Sequence, residues 1–208
     1  MEKIKLPGSH LSEKLSLNEA LKKRISCRNF SPKSILMSQL SSILWAGQGV
    51  ISQKYDQRRT APSAGSTFPL ELMVAVRKEG VDELEAGLYQ YVSADHGLKR
   101  IGETDIARDI SAACFNQEFL KHAAVTVLIA SNNERTTRMY AERGERYVYM
   151  ESGAVMQNIA LESVELGLGT VIVGAFDDEA IAGLFGLETL RPLALMPVGY
   201  PKDKAFYV

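Results

Sequence analysis

The chain has 208 residues, 46% of them hydrophobic and 24% charged, which suits a single domain over residues 1–208 with a substantial core. Its formal net charge is −1 at pH 7, and the lack of a lysine-rich run argues against nucleic acid as a partner. No apolar run approaches membrane-spanning length and no signal-peptide core is present, so we expect no membrane partner and a cytoplasmic location.

The first half of the sequence predicts two helices and then a long loop. Residues 16–19 form a capping box that starts the first helix. The apolar side of this helix contains Leu17, Ala20, Leu21 and Ile25. A second helix is predicted over residues 38–47. Residues 48–69 are predicted as a polar loop that is too long for a mere connection, which indicates a function.

The remaining residues mix strands and helices without regular β-α-β alternation. The predicted strands are 70–76, 87–92, 98–101, 124–130, 169–173 and 193–198. The predicted helices are 105–122, 134–166 with a break near Gly144, and 177–184 ended by Gly186. This mixture favours an α+β fold over a doubly wound α/β fold.

Arg24, Ser26 and Arg28 alternate directly after the first predicted helix. In an extended segment such side chains share one face and can converge on one ligand. Two guanidinium groups and a hydroxyl suit a phosphate, since guanidinium pairs bidentately with phosphate oxygens. Cys27 is expected to point the opposite way, into the core. Alone, the pattern is also typical of solvated surface clusters.

Residues 61–69 form a second informative segment, rich in Ser, Gly and Pro. Small side chains let backbone amides approach a flat or anionic group. Together with the arginines, this segment predicts a site for a phosphorylated cofactor. Arg58 and Arg59 precede it, and we consider them either solvated loop charges or groups that orient a substrate at the edge of the site.

Other kinds of site find little support in the sequence. Residues 47–49, Gly-Gln-Gly, follow a helix and lack the third glycine of a dinucleotide fingerprint. Ser63 lacks the first glycine of a nucleophile elbow, and the three histidines are scattered, so neither a hydrolase nor a metal site is predicted. Cys27 and Cys114 have no CxxC spacing, which argues against a zinc site or a disulfide framework.

Residues 167–177 predict a helix end, a strand and a turn. One interpretation is a helix C-cap followed by a buried strand. The other is a strand whose end presents backbone N–H groups to a cofactor. The pattern alone leaves both interpretations open.

In this order, the segments resemble the nitroreductase-like flavoprotein superfamily and, within it, the SagB-type dehydrogenase branch. The matching stretches are 15–30, 44–49, 59–65, 87–89, 143–147, 157–158 and 167–178. The resemblance implies a nitroreductase-like α+β fold with a central, mostly antiparallel sheet flanked by helices. It also implies an intertwined homodimer with FMN sites built across the interface. On the long predicted helix, the small residues Gly153, Ala154 and Ala160 allow close packing, either against the counterpart helix of the partner subunit or inside the same domain.

The resemblance also implies which residues form the cofactor site. These residues are Arg24, Ile25, Ser26, Arg28, Pro62, Ser63, Ala64, Gly65, Ser66, Val173, Gly174 and Ala175. Residues 62–66 would come from the partner subunit, and the turn at 173–175 would offer a backbone N–H to flavin N5. Arg59 and Tyr140 are candidates for contact with the substrate. No protein residue is expected to be catalytic, because the isoalloxazine carries the chemistry.

The implied activity is FMN-dependent reduction of nitroaromatic, quinone-like or other small substrates, with NAD(P)H as electron donor in a ping-pong reaction. Two alternatives stay open: oxidation of an azoline ring in a peptide metabolite, and a flavin-binding subunit without turnover. Three departures from the family pattern bear on these alternatives and on the phosphate site. Met139 stands where azoline oxidases carry a lysine, and Ala154 where a histidine is frequent. Near the C-terminus only Lys202 and Lys204 are available for the phosphate.

Overall fold

The computed structural model of the protein describes residues 3–8, 14–52 and 58–203. Its α-helices are α1 (Leu17–Lys23), α2 (Met37–Gln48), α3 (Ala107–Ala113), α4 (Glu134–Tyr140), α5 (Arg143–Glu165) and α6 (Asp178–Phe185). Its strands are β1 (Lys3–Lys5), β2 (Val50–Ser52), β3 (Arg58–Arg59), β4 (Leu70–Val76), β5 (Gly87–Val92), β6 (Gly97–Gly102), β7 (Val125–Ser131), β8 (Gly169–Thr170) and β9 (Arg191–Gly199). Lys204 lies outside the described residues.

A seven-stranded antiparallel sheet forms the centre of the fold. Within the described residues its strand order is β1-β6-β5-β4-β7-β9-β8, and β2 pairs with β3 in a separate hairpin. The central strand β4 pairs along its whole length with β7, from Leu70 opposite Ser131 to Val76 opposite Val125. This sheet and the helices packed on it confirm the α+β fold predicted from the sequence.

The central strand β4 contributes to a hydrophobic core on each face of the sheet. Because successive side chains of a strand point to opposite faces, Leu72, Val74 and Val76 enter one core. Met73 and Ala75 enter the other. The first core also contains buried side chains of α2 and α5, and the second those of α3 and α6. Helices therefore cover both faces of the sheet.

Local capping signals place two helices where the sequence predicts them. Ser16 and Glu19 form the reciprocal capping box at the start of α1. Asp177 caps α6, and Gly186 ends that helix with a left-handed φ of 63°. The break in the long helix falls at Ala141, whose φ is 50°, slightly before Gly144.

Three predicted segments differ from the structure. Instead of one helix over 105–122, α3 is followed by a 3-10 turn, because Phe115 and Asn116 have φ of 56° and 60°, which ends a right-handed helix. The polar loop predicted over 48–69 contains the β2–β3 hairpin and a 3-10 turn. The strand predicted over 169–173 is shorter, since β8 ends at Thr170.

The apolar side of α1 is largely uncovered. Of its apolar residues only Ala20 is buried, whereas Leu17 is 66%, Leu21 49% and the following Ile25 45% exposed. Apolar surface on a helix is stabilised by burial, so this side favours contact with another surface. In the described part of the chain, no helix has the length and apolar composition needed to cross a membrane.

Candidate functional site

The segment that carries Arg24, Ser26 and Arg28 is extended and lies beside β8. Ser26 pairs with Thr170 in a parallel bridge, and the Cys27 N–H donates to the Thr170 carbonyl at 2.9 Å. The Cys27 side chain is fully buried, and burial raises the pKa of its thiol. Ser26 and Arg28 are exposed and Arg24 is half-buried. Cys27 therefore faces the core as expected, whereas Ile25 does not share that burial.

The two guanidinium groups of this segment have no protein partner among the described residues. Every ion pair found there involves other side chains, and neither Arg24 nor Arg28 takes part in a side-chain hydrogen bond. Both cations therefore lack a counter-charge in the described part of the chain. The segment is thus a positive site suited to an anion such as a phosphate.

The turn after β8 follows Thr170, to which the arginine segment is bonded. The Val173 N–H donates to Leu195 at 2.8 Å, and Val173 accepts from the Leu195 N–H at 2.9 Å, so Val173 belongs to the sheet. Gly174 and Ala175 are exposed, and within the described residues their N–H groups have no acceptor. The Ala175 carbonyl accepts from Gln117 Nε2 at 3.1 Å, which orients the turn.

The small-residue loop, residues 62–66, has an uncommon backbone. Gly65 and Ser66 have φ of 58° and 54°, and Phe68 just beyond has φ of 43°. Left-handed angles are unfavourable for a bulky residue such as Phe68. The Phe68 N–H donates to Ser63 Oγ at 2.9 Å, which closes the loop. The exposed positions of the loop are Pro62, Gly65 and Ser66, and the half-buried ones are Ser63 and Ala64.

Tyr140 lies directly over this loop. A Cβ added to Gly65 would be 2.6 Å from Met139 Sδ and 2.8 Å from Tyr140 Oη, so a larger residue would have to displace these side chains, and the φ of 58° also favours glycine. The Tyr140 ring meets Tyr147 edge-on, with centroids 5.0 Å apart. The structure thus brings one predicted substrate residue to the predicted cofactor loop. Among the described residues, no hydrogen bond or ion pair joins the loop to Arg24, Ser26 or Arg28.

Arg59 lies beneath the small-residue loop. Its Nη1 donates to Gln48 Oε1 at 2.7 Å, and its guanidinium is 4.4 Å from the centroid of the Phe68 ring. Burial lowers the pKa of Arg59. Glu151 lies beside it and is only 4% exposed. Burial raises the pKa of Glu151, while Ser63, Gln48 and Arg59 act in the opposite direction.

The sequence analysis did not single out Glu151, although the sequence contains a signal for it. Val148, Val155 and Ile159 lie on the side of α5 that faces the core, and all three are fully buried. Glu151 has the spacing of this buried stripe. A carboxylate at an inward position of an amphipathic helix requires a polar partner inside the protein.

The small residues expected on one face of α5 do not share a face. Ala160 is 5% exposed and packs in this chain's own core, whereas Gly153 is exposed with open space around it. The outward side of the helix instead carries Tyr149, 54% exposed, and Met150, 62% exposed. Ala154 is half-buried and packs against the same core as Ala160, so of the three small residues Gly153 alone lies on the outward side.

Comparisons with known proteins agree with the fold. The model of the Nitroreductase family matches residues 21–200. The chain is 42% identical over 187 residues to a protein of Methanocaldococcus jannaschii whose name assigns it to the nitroreductases; the match covers 90% of this chain and 92% of that protein. It is 26% identical over 153 residues to the microcin B17-processing protein McbC of Escherichia coli, covering 70% of this chain and 56% of McbC.

Two solved structures illustrate the shared fold. A crystal structure from Ralstonia eutropha JMP134, also assigned by name to the nitroreductases, has a TM-score of 0.84 at 26% identity and covers 98% of this chain and 91% of its own. The Escherichia coli microcin synthetase McbBCD complex with truncated pro-MccB17 bound contains a chain with a TM-score of 0.77 at 20% identity. That match covers 95% of this chain and 77% of the other.

Proposed function

Because the chain belongs to the nitroreductase family, we propose that it is an FMN-dependent oxidoreductase that works as a homodimer. The observation that carries the proposal is the pair of unpaired guanidinium groups, Arg24 and Arg28, beside a turn with open Gly174 and Ala175 N–H groups. FMN joins a phosphate to a flat ring that gains negative charge on reduction. The cations suit the phosphate of FMN, and a cation together with N–H donors suits the ring.

Each residue of the arginine segment would have its own task. Arg24 and Ser26 would hold the phosphate and the ribityl chain, with Ile25 exposed between them. Arg28 would stabilise negative charge at the pyrimidine end of the ring, as a fixed cation does for a reduced flavin. The Val173 N–H is bonded within the sheet, so the donors to the ring would be the two residues after it.

When bound, FMN would supply hydride transfer between NAD(P)H and a small nitroaromatic or quinone-like acceptor. The protein's own task is then to bind and orient. Tyr140 Oη, held over Gly65, would contact the substrate. Arg59 would act on the substrate side of the loop by holding Phe68, on which its guanidinium stacks.

The homodimer is supported by surfaces that one protomer leaves uncovered. Leu17 and Leu21 on α1 and Tyr149 and Met150 on α5 are each about half exposed or more, at 66%, 49%, 54% and 62%. Large exposed apolar side chains grouped on helices are typical of a subunit interface. Within one protomer the small-residue loop is not bonded to the arginine segment. We infer that the loop serves the partner's cofactor.

A flavin titration of the purified protein tests this proposal. FMN should bind with micromolar or tighter affinity. Arg24→Ala combined with Arg28→Ala should weaken binding by several kcal/mol, since each charge-assisted hydrogen bond contributes about 1.5–3 kcal/mol. Arg108→Ala combined with Arg138→Ala removes two exposed arginines elsewhere and should leave the affinity unchanged. A protein that binds no FMN would contradict the proposal.

A second candidate function is oxidation of an azoline ring in a peptide. It is favoured by the match to McbC, a microcin B17-processing protein, and by Tyr140 over the loop. The residue before that tyrosine is Met139, which carries no base to remove a proton from the ring. Incubation of the FMN-loaded protein with an azoline peptide, followed by mass spectrometry, tests it. Loss of two hydrogens would support azoline oxidation, and an unchanged mass would count against it.

The other alternative, a flavin-binding subunit without turnover, is tested by repeated reduction and reoxidation of the bound flavin. Multiple turnovers with any electron acceptor would contradict it. A bound flavin that dithionite reduces, and that no acceptor then reoxidises repeatedly, would support it.

A further inference from the structure

The backbone at Phe68, just beyond the small-residue loop, needs support from its surroundings. Its φ is 43°, and Ser66 within the loop has φ of 54°. Such left-handed angles are unfavourable for residues that carry a side chain, and they persist only where the surrounding structure imposes them. The contacts that hold Phe68 and its neighbour Thr67 therefore set the shape of the loop.

Arg135 of α4 joins the backbone of Phe68 to the central sheet. Its Nη1 donates to the Phe68 carbonyl at 2.9 Å, and its Nη2 lies 2.7 Å from Glu71 Oε1 on β4. The Glu71 side chain is 20% exposed and that of Arg135 42%, so water screens this ion pair only in part. Because a guanidinium is planar and rigid, the two contacts together fix the Phe68 carbonyl relative to β4. Arg59 stacks on the ring of Phe68 and supports its side chain, whereas Arg135 holds its backbone.

Thr136, the next residue of α4, holds the chain one position earlier. Its Oγ1 lies 2.8 Å from Thr67 Oγ1, which itself donates to the Ala64 carbonyl at 3.0 Å. A hydroxyl has one proton to donate, so Thr136 is the donor between the two threonines. Just before the helix, the Asn132 N–H donates to the Pro69 carbonyl at 2.8 Å. The start of α4 is therefore bonded to three successive residues just beyond the small-residue loop.

The end of the same helix covers the loop itself. Met139 and Tyr140 lie against Gly65. The helix spans only seven residues, Glu134–Tyr140, so the bonds at its start also set the place of Tyr140 at its end. The loop and the candidate substrate residue are thus held as one unit, in which Arg135 makes a charged contact.

From these contacts we propose that Arg135 is a positioning residue of the cofactor site, which acts through the Phe68 backbone to hold the small-residue loop in its left-handed conformation. Thr136 assists it through Thr67. This inference rests on the proposed FMN function. Without the guanidinium, the Phe68 carbonyl loses its charged donor and Phe68 moves toward backbone angles that suit it better. The loop then loses the conformation that a bound cofactor contacts.

The test is the FMN affinity of the full chain, measured by flavin fluorescence. Arg135→Met should weaken binding about tenfold or more, the loss expected for one charged contact. Arg138→Met removes an arginine of the same helix that is paired with Glu134 at 3.0 Å, and this variant should bind FMN like the wild type. Unchanged affinity in Arg135→Met, or an equal loss in Arg138→Met, would overturn the proposal.

The spectrum of the bound flavin separates positioning from a merely structural role. At saturating FMN, Arg135→Met should change the visible circular dichroism of the bound flavin, because the loop that contacts the cofactor has moved. Arg138→Met should leave that spectrum unchanged. A substitution that only destabilises the fold would lower the free energy of unfolding in urea without altering the flavin spectrum of the loaded protein. That result for Arg135→Met would contradict a positioning role.

A double-mutant cycle shows whether Arg135 acts as a bridge to the sheet. In the Arg135→Met background, Glu71→Gln should add little to the loss of affinity, whereas additive losses would refute the bridge. If far-UV circular dichroism shows that Arg135→Met is unfolded, Thr136→Val, which keeps the shape of the side chain, should show weakened binding instead. Unchanged binding in that variant overturns the proposal. Wild-type protein that binds no FMN would refute the proposed function itself, and this inference with it.

Discussion

Replacement of Glu162 by glutamine should stabilise the protein, and more strongly as the pH rises. Glu162 and Glu165 lie one turn apart on α5, and Glu162 Oε1 and Glu165 Oε2 are buried without a hydrogen-bond partner among the described residues. Burial, and secondarily the like charge of Glu165, raise the pKa of Glu162 from 4.5 to about 7. The folded state therefore holds a proton that the unfolded state releases.

The size and the sign of the effect follow from linkage. A shift from 4.5 to about 7 corresponds to at most about 3.5 kcal/mol, since each pKa unit is worth about 1.4 kcal/mol, and solvent screening of this partly exposed carboxyl group reduces that figure. Below the unfolded pKa both states are protonated, and Glu162 imposes no penalty. As the pH rises toward the folded pKa the unfolded state is favoured, and the full penalty applies above it. Glutamine resembles the protonated acid and avoids that penalty.

Urea unfolding of wild type and Glu162→Gln at about pH 4.5, 6 and 8 measures this difference. We expect nearly equal stability at the lowest pH and a gain of about 1–3 kcal/mol for the variant at the highest. Glu145→Gln, at an exposed position of the same helix, should show no pH-dependent gain. A gain for Glu162→Gln that is the same at every pH would refute the electrostatic explanation.

Three further predictions concern other parts of the fold. Burial lowers the pKa of His96, whose Nδ1 lies 2.8 Å from Tyr91 Oη, so the free energy of unfolding should fall as the pH drops below the unfolded pKa of about 6.5. In urea unfolding at several pH values, His96→Gln should show a smaller fall. Gly144→Ala would place a Cβ 2.8 Å from the Thr137 Cα and should lower stability by about 1–3 kcal/mol in calorimetry, whereas Gly183→Ala, with nothing within 4 Å, should not. Gly153→Arg should abolish the dimer in light scattering and FMN binding together, and a variant that stays dimeric would contradict the interface inferred on α5.

The parts of the fold that the sequence predicted correctly depend on short-range chemistry. The Ser16 capping box, the Asp177 cap and Gly186 at the end of α6 are each set by neighbouring residues. The stretch that became β4, apolar except for Glu71, is equally local. The burial of Cys27 was predictable because an extended chain can face only two ways.

The parts that were missed depend on contacts between distant residues. Helical periodicity continues through Phe115, and only the packed chain shows the left-handed angles that stop the helix. The spacing of small side chains such as Ala160 does not show whether they face the core or a partner subunit. Glu151 was missed because its partners, Gln48 and Arg59, are far from it in the sequence. The N–H groups available at residues 174–175 depend likewise on the pairing of Val173 with Leu195.

Anaerobic stopped-flow mixing of the FMN-loaded protein with NADH and with NADPH tests the central claim most directly. We predict that at least one nucleotide bleaches the visible flavin band and that a quinone then restores it, as a ping-pong oxidoreductase requires. A flavin that neither nucleotide bleaches would contradict the NAD(P)H-linked reaction. A protein that stays colourless after incubation with FMN would contradict the account as a whole.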